Sequence, residues 1–444
     1  MNERDSEAAA AALINAGYIS VKNEIEADIL LFNTCSVRDQ AERKAVGKIG
    51  IMKKIKKKKP DIIIGVLGCM AQNKKEKLLK DLPHIDFVLG TDNTHKLIEV
   101  LKQEEQEKQK IIKTEFNSST ESMETMGGHL LFTNSVDEDS KAQCTAYVSL
   151  MRGCNRFCSY CIVPYVRGRE KSRTKESILH ECKELVKKGI KEVMLLGQNV
   201  AAYEFEPGQL TPKNGESPFA DLLVEISKIS GLERIRFTSP HPACFNDKLI
   251  ETIANLPKVC NNIHLPLQSG SDTILKAMGR GYTADQFYSI AEKLHNLCED
   301  ITFSTDIIVG YPGETDEDFN KTRDLMNKVG FDNAFIFKFS PRSGTKAAKI
   351  EDSVDQSIKE IRNSLLLKDL KKRTEANNKL YVDTTQEILV EGISKRNNLR
   401  WSGRTTTNQL VVFEPYEGIK SGDIIDVEIY KATSMTLFGK KVTS

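Results

Sequence analysis

The sequence has no apolar run approaching the ~20 residues needed to cross a bilayer, and no excess of charge of either sign. The first absence excludes a helical membrane span. Nor does the opening Met1-Asn2-Glu3-Arg4-Asp5-Ser6-Glu7 carry the apolar core of a signal peptide, so a cytoplasmic protein with no membrane partner is expected. The second absence, 64 basic against 62 acidic residues for a net charge of +2, means that any nucleic-acid footprint must be local. Ten cysteines without a secretion signal predict reduced thiols serving a metal or a reaction rather than disulfides. A chain of 444 residues exceeds one ordinary core, so two or three domains are expected.

Three of the ten cysteines fall within eight residues, Cys154, Cys158 and Cys161, spaced C-x3-C-x2-C. Thiolates this close select a soft metal: zinc, Cu(I) or an iron–sulfur cluster. Three ligands on a four-iron cluster leave one iron open to an outside ligand. The same positions also fit one face of a buried helix, on which cysteine is a small hydrophobe. Gly153 and Pro164 bracket the run and leave little room for that helix. A four-cysteine zinc site would need Cys144 or Cys182, and neither stands at a zinc-finger spacing.

Residues 1–105 read as a small α/β unit. The apolar run from Ala27 to Asn33 predicts a strand buried on both faces that ends at Cys35. The run from Asp61 to Leu67 predicts another, ending at Cys69. Ligands bind beyond the carboxyl ends of such strands, and both cysteines sit there; on the residues alone they are as readily core as site. Lys53 to Lys59 carries six lysines and reads first as a solvated helix end. Residues 106–140 are polar and linker-like.

Residues 141–370 alternate strands and helices. Six strands end on small polar or glycine residues: the cysteine loop itself, then Gly197-Gln198, Ser239-Pro240, Gln268-Ser269, Gly310-Tyr311 and Ser340-Pro341. A partial (β/α)6 barrel is expected, with its active face at the strand carboxyl ends. His264, inside a strand, reads as a packing residue. Residues 371–379 read as a link. From 378 to 444 short β-runs predict a small OB-like barrel with a basic patch at Lys395, Arg396, Arg400, Trp401 and Arg404, suited to RNA backbone and base stacking.

The motif C-N-R-F-C-S-Y-C after a strand is similar to the signature of radical S-adenosylmethionine enzymes. M-N-E-R-D-S-E, N-T-C-S-V-R, G-C-M-A-Q and R-G-R-E-K-S-R resemble the methylthiotransferases, in all three domains, and most of all their MiaB type. The C-terminal barrel resembles a TRAM domain, and the N-terminal unit implies a flavodoxin-like parallel sheet. The resemblance implies a [4Fe-4S] cluster on Cys154, Cys158 and Cys161, whose open iron takes S-adenosylmethionine. It also implies an auxiliary [4Fe-4S] cluster with Cys35 and Cys69 among its ligands. The activity implied is transfer of a methylthio group to carbon 2 of N6-isopentenyl (dimethylallyl) adenosine beside the tRNA anticodon. Its partners would be the anticodon stem-loop and a flavodoxin-type electron donor, and the protein a monomer.

The target C–H bond is unactivated, so no residue is expected to act as an acid or base; the radical cofactor does the chemistry. Tyr160, Gly197, Gln198, Ser239, Gln268 and Asp306 are expected to contact S-adenosylmethionine. Arg167, Arg169, Lys171 and Arg173, with Lys53 and Lys56, are expected to meet RNA phosphate or a cofactor carboxylate. One departure stands out. In that family a third auxiliary cysteine, on a strand of its own, precedes the Met-Asn with which this sequence opens, and the sequence has no counterpart. The auxiliary cluster is therefore expected to bind weakly, and the first sheet to lack a central strand. Other outcomes are the same chemistry on threonylcarbamoyl-adenosine or on a ribosomal protein side chain, and an inactive RNA-binding iron–sulfur protein.

Overall fold

A computed structural model describes residues 1–116 and 143–442. The N-terminal sheet is parallel and runs in sequence order. Its strands are β1 (Ile29–Thr34), β2 (Ile63–Gly68), β3 (Phe87–Leu89) and β4 (Ile111–Lys113). β2 is buried along its whole length, which its unbroken apolar run requires. Helices Asn2–Asn15 and Leu97–Glu107 pack on one face and helix Asp39–Lys58 on the other, each with its own apolar cluster. β1 and β2 pair directly over six residues. One expectation needs correction. The linker expected from residue 106 starts too early: Ile111–Lys113 pairs with β3, since two isoleucines cover the sheet edge. Residues 117–140 of that linker lie outside the described residues.

The central unit contains β5 (Thr145–Ser149), the short pair β6 (Met151–Arg152) and β7 (Lys171–Ser172), then β8 (Glu192–Leu196) and β9 (Arg234–Phe237). β10 (Asn262–His264), β11 (Thr302–Val309) and β12 (Asn333–Lys338) follow. β5-β8-β9 and β10-β11-β12 are parallel triplets joined by a bridge from Ile235 to Val259, which gives the expected open six-stranded barrel. One apolar cluster between strands and outer helices holds it. Thr174, Ser217, Asn246, Ser271, Thr283 and Thr315 cap helices through their side chains, each cap contributing about 1 kcal/mol. The link expected at 371–379 is instead the end of helix Gln356–Lys379; its Lys and Arg residues are good helix formers.

The C-terminal strands β13 (Thr385–Ile393), β14 (Trp401–Thr405), β15 (Leu410–Phe413), β16 (Ile424–Ala432) and β17 (Leu437–Lys441) close into a barrel. It docks on the amino-terminal ends of the core strands. Arg234 donates to the Arg404 carbonyl at 2.6 Å, and Arg236 to those of Thr405 (2.7 Å) and Thr406 (3.0 Å). Thr302 donates to the Thr407 carbonyl at 3.1 Å.

The N-terminal unit touches both lateral edges of the open barrel. Asp5 reaches Arg152 beside the first strand, and Asp39 pairs with Arg342 just after the last at 3.2 Å.

Candidate active site

β6 runs straight into the cysteine loop, and the loop is pinned on every side. Gly153 has φ +80° and its Cα faces the Arg169 carbonyl, where a Cβ would collide; only glycine suits this turn. The Gly153 N–H donates to Gln198 Oε1 at 2.6 Å, and the Cys154 N–H to the Gly168 carbonyl at 3.1 Å. Phe157 takes the left-handed conformation (φ +48°) between the edge of Tyr165 and the Arg169 guanidinium, 4.3 Å from its ring. Ser159 donates its N–H to the Met278 carbonyl, bonds Tyr311 through its hydroxyl, and accepts from the Ala347 N–H.

The three thiols interact electrostatically with one another. Burial pushes the Cys154 thiol well above its ordinary range and that of Cys161 up to about 12, with the neighbouring thiols adding to both. Arg280 is buried against them. Its Nη1 lies 3.5 Å from Cys158 Sγ, its Nε donates to Tyr282 Oη at 3.1 Å and its Nη2 to the Pro266 carbonyl at 3.0 Å. Among the described residues no three His, Cys, Asp or Glu side chains close around a single metal ion. The ligands of a cubane sit on separate irons and stand further apart than those of one ion. Two buried thiols and a partly buried one, with a charged N–H donor beside one sulfur, are a donor set that fits such a cluster.

The register of β1 and β2 places Thr34 opposite Gly68, so Cys35 and Cys69 emerge side by side. Burial pushes the Cys69 thiol up, the nearby Cys35 adds to this, and Arg167 opposes it. Cys69 packs on Ile162, the residue after Cys161, and on Val166 in the helix that follows. Arg167 reaches the Cys69 thiol and donates through Nη2 to Asp5 Oδ2 at 2.8 Å, while its buried Nη1 has no completed hydrogen bond. Arg152, two residues before Cys154, donates to the other oxygen of Asp5, also at 2.8 Å. Cys35 and Cys69 thus stand together at adjacent strand ends, two thiols of the kind that suits a soft metal.

Models of known families match this arrangement unit by unit. The radical SAM superfamily matches residues 148–326, a family described as uncharacterized, UPF0004, matches residues 1–90, and the TRAM domain matches residues 379–442. Curated relatives named tRNA-2-methylthio-N(6)-dimethylallyladenosine synthase match end to end. The protein of Opitutus terrae is 44% identical, over 99% of this chain and 95% of its own. That of Syntrophus aciditrophicus is 42% identical, over 99% and 92%. That of Clostridium tetani is 43% identical, over 100% and 94%. The chain belongs to this radical SAM methylthiotransferase family.

Among solved structures, the radical S-adenosylmethionine methyltransferase TsrM from Kitasatospora setae, with tryptophan and a SAM analogue bound, shares the fold. It has a TM-score of 0.50 at 15% identity, over 76% of this chain and 65% of its own.

The methylthiotransferase core places the expected cofactor residues unevenly. Tyr160 packs with Ile308, Met278 and Tyr311 beside the cysteine loop. Gln198 braces Gly153, and Gly197 lets Met151 and Val200 approach. Ser239 (φ +60°) and Gln268 (φ +71°) hold left-handed backbone just past their strands, a strain of about 1–3 kcal/mol each that clusters at functional sites. Asp306, expected at a strand end, lies within β11 and meets His264 at 3.3 Å. His264 is therefore not mere packing: its other nitrogen meets Ser304 at 3.0 Å, on the inner face of the barrel.

The basic residues divide. Arg167 and Arg173 are buried and matched inside the protein, Arg173 by Glu181. That corrects their expected phosphate role, because both guanidiniums are buried and already paired with carboxylates. Lys171 pairs with Asp92, and Lys56 with Asp86 at 2.7 Å, whereas Lys53 and Arg169 are exposed. Arg404 pairs with Glu391 at 2.9 Å and Arg400 lies 3.6 Å from Glu414. Trp401 packs towards the small barrel's core rather than standing free to stack on a base.

Two residues of the site were missed from sequence. Arg280 stands in a plain Gly-Arg-Gly-Tyr turn. His241, in Ser-Pro-His-Pro after β9, accepts the Ala243 N–H on Nδ1 at 3.2 Å. Its proton is thus on Nε2, which is buried without a hydrogen-bond partner.

Proposed function

We propose that this methylthiotransferase acts on carbon 2 of N6-isopentenyl (dimethylallyl) adenosine next to the tRNA anticodon, using S-adenosylmethionine and two iron–sulfur clusters. The observation that supports it is the seam. One buried carboxylate, Asp5, clamps both arginines flanking the cysteine loop, and one of these, Arg167, reaches Cys69. This seam ties the segment that carries Cys69 to the arginines that flank the cysteine loop. Cys154, Cys158 and Cys161 would hold the first cluster, and Cys35 and Cys69 would contribute to the second. Bound there with S-adenosylmethionine, the first supplies the one-electron chemistry that opens an unactivated aromatic C–H bond.

The chain's own residues do the rest. Gln198 and Gly168 fix the loop, Arg280 donates to Cys158, and Tyr160 with Ile308 and Tyr311 makes that side of the site apolar. Gly197, Gln198, Ser239, Gln268 and Asp306 line the expected cofactor side. Lys53, Arg169, Arg400 and Arg404 remain for RNA phosphate, and a flipped base suits a buried reacting centre. The reading includes a cytoplasmic monomer, a flavodoxin-type reductant, and three units, the first running on through β4 at 111–113, the second spanning 143–370 and the third 378–442.

The test pairs two variants of reconstituted protein with isopentenylated tRNA. Cys158→Ala should abolish reductive cleavage of S-adenosylmethionine. Cys69→Ala should keep that cleavage and lose the methylthio product, read by mass spectrometry of the nucleosides. Wild-type protein that cleaves S-adenosylmethionine but leaves isopentenylated tRNA unchanged would exclude this substrate and favour another adenosine or a protein side chain. No cleavage at all would leave an RNA-binding iron–sulfur protein.

A further inference from the structure

Phe335 and Phe337 break the pattern of an α/β barrel strand. Alternate residues of β12 divide between two faces. Ala334 and Ile336 pack outward on the helices, so Asn333, Phe335 and Phe337 face the inside. The register confirms the side: Phe335 pairs with Asp306 and Phe337 with Ile308. Inside a barrel, aromatic rings normally fill the core, yet Phe335 is 44% exposed. Burying such a ring is strongly favourable, and this one is left open on the inner face of the last strand.

Its neighbours come from both thiol sites. Arg38, three residues after Cys35, lays its guanidinium over Phe337 at 4.9 Å and over Phe335 at 5.8 Å. Ile308, opposite Phe337, shares an apolar cluster with Tyr160, which stands between Cys158 and Cys161. The edge of His264 meets the Phe335 ring at 6.0 Å, beside Asp306 and Ser304. The aromatic surface thus has neighbours from both cysteine sites, with a cationic plane above it and a polar pair at its margin.

We infer that Phe335 and Phe337, with Arg38, form the seat of the substrate base: Phe335 takes the apolar N6 substituent, and Arg38 stacks on the purine. This rests on the proposed function, because carbon 2 must lie within reach of both sites. Bases are held between aromatic rings and guanidinium planes in this way. The exposed ring explains how an enzyme tells an isopentenylated adenosine from a bare one, since only the former covers it.

The experiment compares wild type, Phe335→Ala, Phe335→Leu and Arg38→Gln on two tRNAs, one isopentenylated and one with unmodified adenosine. Rates are normalised to tRNA-independent S-adenosylmethionine cleavage by the same preparation. Phe335→Ala should raise KM for the isopentenylated tRNA tenfold or more and narrow its preference over the unmodified one. Phe335→Leu should restore most of that preference, and Arg38→Gln should weaken both tRNAs alike. An unchanged preference in an active Phe335→Ala enzyme overturns this inference alone. Wild-type protein inert on both tRNAs overturns the functional reading and this inference with it.

Discussion

Asp5 and Arg167 are joined at 2.8 Å although 162 residues separate them, and both are buried. Burial alone would raise the Asp5 carboxyl, but Arg167 and Arg152 outweigh it and hold it below the usual carboxylate range. The joint fixes the first helix against the cysteine loop. Asp5→Ala would leave two buried guanidiniums without their shared partner, a loss of about 3–5 kcal/mol. The expected result is a lower unfolding midpoint and early proteolytic release of residues 1–116. Asp5→Asn, which keeps acceptor oxygen but no charge, should fall in between. A midpoint unchanged in Asp5→Ala would mean that the seam carries no stability.

Arg280 and Cys158 make the second testable contact. A buried cation and an N–H donor beside a ligating sulfur favour the reduced, more negative state of an iron–sulfur centre. Arg280→Leu should therefore lower the reduction potential of the first cluster, measured by spectroscopically monitored titration. Arg280→Gln, which keeps a donor without the charge, should lower it less. Iron content equal to wild type in both, with no change in potential, would show that Arg280 serves only the fold of the 279–282 turn.

Arg236 holds the small barrel from beneath. It pairs with Glu192 at 2.8 Å and donates to two barrel carbonyls, and Arg236 and Glu192 are both buried. Arg236→Ala should cost about 3–5 kcal/mol, because Glu192 is then a buried charge without its partner. Limited proteolysis should separate residues 378–442 from the core. If the barrel stays protected, docking rests on Arg234 and Thr302 instead.

How much of this was legible depended on range. C-x3-C-x2-C is a local spacing, so the cluster loop could be read directly, and the apolar runs ending at Cys35 and Cys69 marked their strand ends. The small barrel was legible as a class, but β14 and β17 were not found: Trp-Ser-Gly-Arg-Thr and Leu-Phe-Gly-Lys-Lys lack clean alternation. Arg167 read as free to meet phosphate because its partner Asp5 lies 162 residues away, and Arg173 because its pairing with Glu181, eight residues on, depends on how the loop folds onto the following helix. Phe335 and Phe337 read as ordinary strand apolars. Their exposure comes from the barrel staying open beside β12, a property of the assembled fold.

His241 supplies the pH prediction. Burial, with the Arg280 and Arg156 guanidiniums close by, holds its imidazole neutral to well below the ordinary 6.5. In the unfolded chain it takes up a proton near pH 6.5. The folded protein therefore has its full stability from this group above pH 6.5. It loses that stability as pH falls from there towards the lowered native value, at up to about 1.4 kcal/mol per pH unit. His241→Gln removes the titration and keeps polar atoms in place. Denaturant unfolding at pH 7.5 and 5.5 should show wild type losing about 1 kcal/mol more than the variant across that interval. Parallel losses in the two proteins would mean that the native imidazole protonates as readily as the unfolded one, and that its buried Nε2–H is reached by solvent.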